Sequence, residues 1–87
     1  MSTELVDFLY NATGITGIAL IIIAYFLLQV GKISSTSLSY PLLNLIGAVL
    51  HLISLYRFYN LPSVIIEIFW IAISVYGIIK IKNLKSN

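Results

Sequence analysis

The stretch from Leu61 to Ile81, LPSVIIEIFWIAISVYGIIKI, constrains this chain more than any other, because it sets one carboxylate inside an apolar run. Its length of about 20 residues, at ~1.5 Å rise per residue, matches the ~30 Å hydrocarbon core of a bilayer. A membrane span is therefore expected. Glu67 falls about two turns inside its start, and Trp70, Ser74 and Gly77 follow at helical spacing. One face thus carries a carboxylate, an indole and a hydroxyl. An ionisable group at that depth costs a few kcal/mol to insert, so it has to face protein or a water-filled cavity.

Composition extends this expectation to the whole chain. Of 87 residues, 60% are hydrophobic and 9% charged, whereas a soluble domain of this size must keep a polar exterior. We expect one all-α membrane domain over residues 1–87, with three transmembrane helices at about 8–30, 41–57 and 61–81. The absence of cysteine excludes a disulfide framework. A net charge of +2 without a run of basic residues offers no surface for nucleic acid. The opening STELVDFLY is acidic, unlike the cationic leader of a secretory signal, so the first span is expected to be retained. Asn11-Ala12-Thr13 fits the glycosylation acceptor pattern, and its place at the mouth of a span makes a structural reading the better one.

Each span presents one distinctive stripe. In the first, Gly14, Gly17, Ile21, Ala24 and Leu28 share a face on which small residues let another helix approach closely, and Gln29 closes the span. Ser39 before Tyr40-Pro41 starts the second helix, where Asn44, Gly47, Ala48, His51 and Ser54 lie together. Arg57 to Asn60 form a short turn, with Asn60 placed to cap the third helix and Pro62 in its first turn. Spans two and three are therefore antiparallel neighbours. Lys32, Lys80, Lys82 and Lys85 flank one side of the membrane and Arg57 alone the other, which puts the N-terminus outside and the C-terminus in the cytoplasm of a multi-pass cell-membrane protein.

His51 and Glu67 are equally far in sequence from Tyr59, so a hairpin folded there brings them to one depth. The same rule sets Asn44 level with Ser74. Glu67, His51, Trp70, Asn44 and Ser74 are the candidate substrate-binding residues. Gly14, Gly17, Gly47 and Gln29 are candidate packing or hinge positions. A structural alternative is that His51 and Glu67 only satisfy one another. One histidine and one carboxylate per chain could hold a metal only if a dimer supplied two more ligands, so no metal is expected. Nothing in the chain calls for a cofactor or pairs a nucleophile with a base, so no enzyme is expected.

Three spans, Gln29 at the end of the first, Gly47 and His51 in the second, and Asn60-Leu61-Pro62 leading to Glu67 resemble the SemiSWEET transporters of the PQ-loop group. The likeness runs from about Gly14 to Lys82. In that family the first helix ends in Pro-Gln, where Leu28-Gln29 stands here. A Trp and an Asn that line the family's sugar pocket are replaced by His51 and Glu67. The resemblance implies a SemiSWEET-like triple-helix bundle with the third helix between the first and the second. It also implies a parallel homodimer of transporter-like half units moving a small polar solute, or a proton, across the inner membrane. The alternative is a non-transporting membrane protein that supports a partner.

Overall fold

The computed structural model describes residues 2–86, with side chains through Leu84. It holds three helices, α1 (Thr3–Gln29), α2 (Ser39–Ser54) and α3 (Leu61–Ser86), with no strand among the described residues. The side chain of Lys85, one of the basic flanking residues, lies outside this range.

Local chemistry sets the helix ends. The Ser2 hydroxyl accepts from the Leu5 amide at 3.1 Å, and Glu4 stands in the first turn of α1, where a carboxylate suits the positive end of the helix dipole. At the other end Gly31, at φ +80°, takes the left-handed conformation. The Lys32 amide then reaches the Leu27 carbonyl at 2.9 Å and the Gly31 amide the Leu28 carbonyl at 3.2 Å. This pair of bonds is the Schellman closure that a glycine after a helix makes possible. In the following loop Ser34 organises its neighbours, bonding the Thr36 hydroxyl at 2.7 Å and the Ser37 hydroxyl at 2.8 Å. Asn60 caps α3 as its position suggests, its side-chain oxygen accepting from the Ser63 amide at 3.0 Å.

The helices differ from the expected spans in length. α1 starts five residues earlier than expected and α3 continues to Ser86, whereas α2 has only 16 residues and stops at Ser54. Tyr56, Arg57 and Phe58 turn back on carbonyls at Ile53 and Ser54, so they belong to the turn and not to the helix. α1 and α3 are each long and apolar enough to cross a membrane, with few of their residues buried within the protein.

The order of packing is the main correction to the expected bundle. α2 packs against both other helices, while no Cα of α1 comes within 8 Å of α3 among the described residues. The third helix therefore lies outside the pair formed by the first two, not between them. The cause is the α1–α2 seam, where two glycines meet backbone to backbone. A Cβ on Gly47 would stand 2.5 Å from the Gly17 carbonyl oxygen, and a Cβ on Gly17 would clash with the Gly47 carbonyl in return. No helix can lie between two backbones that close. The small-residue stripe of α1 is consequently used within the chain: Gly14, Gly17 and Ala24 are buried against α2. The helix that the stripe lets approach closely is α2 of the same chain.

The interior is made of small and polar groups. Ala24 and Ala48 are fully buried, and Asn44, Ser54, Glu67 and Ser74 are each below one-tenth exposed. Large apolar side chains such as Phe8, Ile15, Ile22, Phe26, Phe69, Ile73 and Tyr76 point outward. Apolar surface of that extent on a soluble monomer would be an unmet interface.

Candidate functional site

Two polar layers cross the interface between α2 and α3. The first layer is the expected pair. His51 Nδ1 lies 2.7 Å from Glu67 Oε2, and Glu67 is only 4% exposed. The stripe of α2 that carries His51 is turned inward by Gly47 and Ala48, and Ser54, one turn beyond, donates its hydroxyl to the His51 carbonyl at 2.7 Å. In the Nδ1–H form the imidazole donates to the carboxylate, and Nε2 stays on the partly exposed edge of the ring. Gly14 of α1 covers this layer from the other side, in line with the Ser54 hydroxyl and the His51 ring.

The second layer lies nearer the lysine-bearing end. The Asn44 amide donates to the Tyr40 carbonyl at 2.9 Å and accepts the Trp70 indole N–H at 3.2 Å. One side-chain amide thus ties α3 to the first turn of α2. Asn44, expected level with Ser74, shares a cleft with it and bonds Trp70, whose indole is long enough to reach a turn along the helix. Ser74 is buried one turn further on.

Two clefts open on this second layer. One, of about 410 Å³, runs between α2 and α3 from Trp70 and Asn44 past Pro41, Ser74 and Gly77 to Ser35 and Ile81. The other, of about 360 Å³, lies where α1 and α3 flank α2 and is lined by Ile21, Ile22, Tyr25, Tyr40, Asn44 and Trp70. Tyr40, Asn44 and Trp70 belong to both. The candidate residues therefore divide. Asn44, Trp70 and Ser74 face open space, whereas Glu67 and His51 line neither cleft. Gly14, Gly17 and Gly47 form the α1–α2 seam, and Gln29 is the exposed last residue of α1.

One end of the protein carries contacts that sequence reasoning missed. Arg57 Nε donates to Asp7 Oδ1 at 2.7 Å, and the rings of Tyr10 and Tyr56 stack with centroids 6.2 Å apart. Opposite charges at the start of α1 and the end of α2 are the signal that pointed to this latch, once α1 and α2 are known to be adjacent. The opposite end carries Lys32, Lys80 and Lys82, and Glu4, Asp7 and Glu67 all lie in the other half.

No group of three or more His, Cys, Asp or Glu side chains suited to a metal occurs among the described residues. No curated protein and no solved structure matches the chain. Nothing found links it to SemiSWEET or PQ-loop proteins. A family model matches residues 10–85, which takes in most of α1, all of α2 and nearly all of α3, and the chain belongs to that family, one without a characterised function.

Proposed function

We propose that the chain is an integral membrane protein of three spans that works as a parallel homodimer, each copy a half unit that meets a small polar solute at the Asn44–Trp70–Ser74 layer. The observation that carries this reading is the pair of clefts converging on one buried amide and one indole, apart from the His51–Glu67 pair. Polar groups inside a bilayer are placed there at a cost and mark pathways for solutes, and three helices in a row leave such a site open on one side. A second copy closes it. The lysines after α1 and along α3 support a cytoplasmic place for that end, with the Asp7–Arg57 latch outside. The parallel dimer of half units is carried over from the SemiSWEET resemblance, whose helix order this chain does not share; the solute layer stands on the clefts alone.

The test is solute flux. The protein is reconstituted in vesicles and challenged with glycerol, urea and glucose while re-swelling is followed by light scattering. At least one solute is expected to enter faster than into empty vesicles, and Asn44→Leu is expected to remove the difference. A second reading, that of a non-transporting protein supporting a partner, is favoured by one observation: the most buried ionisable group, Glu67, is satisfied by His51 and stands outside both clefts. Re-swelling equal to empty vesicles for every solute, from a protein shown to be dimeric, would decide for it.

A further inference from the structure

We infer that the larger cleft binds one acyl chain of an anionic phospholipid, with the headgroup held at the lysine end. The inference uses the membrane reading above but neither the dimer nor the solute. Three observations on the cleft define its occupant. The first is depth: from Trp70 to Ile81 the floor of the cleft follows α3 for about 16 Å at ~1.5 Å per residue, half of the ~30 Å hydrocarbon layer, so the cleft is one leaflet deep. The second is lining. Between its ends the cleft offers Pro41, Ile73 and Gly77, with the Ser74 hydroxyl the polar group on the way. Gly77 leaves room there, since a Cβ on it would meet only Pro41, at 3.5 Å.

The third observation is charge. At its mouth the cleft ends on Ser35 and Ile81, and Lys80 and Lys82 flank Ile81 in sequence, about 100° to either side of it on the helix. Lys32 stands at the same end, after the Schellman turn of α1. No carboxylate lies in that half of the described chain. Lysines beside the mouth of an interhelical groove on the cytoplasmic side attract anionic headgroups. The far end of the cleft, at the Asn44–Trp70 bond, lies about midway along α3, so the cleft is as deep as one leaflet.

Trp70 is the sole tryptophan, lines the cleft and is 40% exposed, so its fluorescence reports lipid in contact with it, and the variants below separate the cleft from the surrounding bilayer. The full-length protein is reconstituted in phosphatidylcholine vesicles containing increasing fractions of lipid brominated on the acyl chain, either phosphatidylglycerol or phosphatidylcholine. Brominated phosphatidylglycerol is expected to quench Trp70 at a several times lower mole fraction than brominated phosphatidylcholine. The double variant K80Q/K82Q is expected to bring the two curves together, and Gly77→Leu, which fills the cleft, to weaken quenching by both lipids. Coincident curves for the unaltered protein, a preference that survives K80Q/K82Q, or unchanged quenching in Gly77→Leu would each overturn the inference. Absence of quenching by either lipid, from protein that floats with the vesicles, would also overturn it, because no acyl chain then reaches Trp70. Failure to float would remove the membrane reading itself, which separates the two.

Discussion

Replacing Gly47 by alanine tests the feature on which the helix order depends. The added methyl carbon would stand 2.5 Å from the backbone carbonyl oxygen of Gly17 and 2.8 Å from the Ile21 side chain, whereas ordinary contact begins at 3.4 Å. The isoleucine can turn away, but the carbonyl is part of α1 and moves only with it. The two helices must therefore part by about 1 Å, a gap that forfeits a quarter to a half of the dispersion energy of facing atoms along the seam. Overpacking of this kind costs about 1 to 3 kcal/mol. The better helix propensity of alanine returns about 0.5 to 1 kcal/mol, leaving a net loss of roughly 1 kcal/mol. Gly77→Ala is the matched control, since its methyl makes only ordinary contact with Pro41, and it should be neutral or slightly stabilising. Unfolding in mixed micelles with increasing dodecyl sulfate, followed through Trp70, compares them. Gly17→Ala should cost about as much as Gly47→Ala, and the double variant less than the sum, because both act at one crossing. Equal unfolding midpoints for Gly47→Ala and Gly77→Ala would refute the backbone seam and the helix order drawn from it.

Other perturbations separate the two polar layers. Glu67→Gln keeps a hydrogen bond to His51 and should cost about 1 kcal/mol, while Glu67→Ala, which leaves the imidazole without its partner, should cost about 3 kcal/mol in the same micelle titration. Asn44→Leu removes the acceptor of the Trp70 indole N–H and should shift its emission to the blue, with no such shift in Glu67→Gln. Gly31→Ala forces a side chain into the left-handed region and should cost about 1 kcal/mol. Arg57→Ala breaks a pair in which both side chains are 39% exposed, so its effect on the unfolding midpoint should fall within about 1 kcal/mol.

Periodicity made most of the interior legible. The α2 stripe is recovered almost residue by residue, with Asn44, Gly47, Ala48 and Ser54 buried and His51 half-buried. The shared depth of His51 and Glu67 followed from the short turn between α2 and α3, because a tight hairpin fixes register by counting. Helix order did not follow, since a small-residue stripe says that some helix comes close without saying which. The resemblance assigned that approach wrongly. The meeting of Asn44 with Trp70 escaped as well, because Cα depth takes no account of how far an indole extends along its helix. The end of α2 was placed too late because Leu55 and Tyr56 continue the apolar run, while backbone bonding has already turned at Ser54.

Placing the shortest helix in the middle gives the two polar layers separate tasks. At 16 residues α2 spans about 24 Å, less than the ~30 Å of hydrocarbon, and neighbours on both sides shield it. Its outer half is bound on two sides, by Gly14 of α1 and by Glu67 of α3, so the ionisable pair sits where α2 is most enclosed. Its inner half begins at Ser39, level with the stretch of α3 near Gly77, where a Cβ would meet Pro41. Beyond that point α3 runs on without α2 beside it, accompanied by the loop that carries Ser35. A cleft results from this difference in length, and it opens toward the lysines because α2 ends there. The His51–Glu67 pair accordingly fixes how α2 and α3 are held, and the Asn44–Trp70 layer marks how far anything entering between them can go.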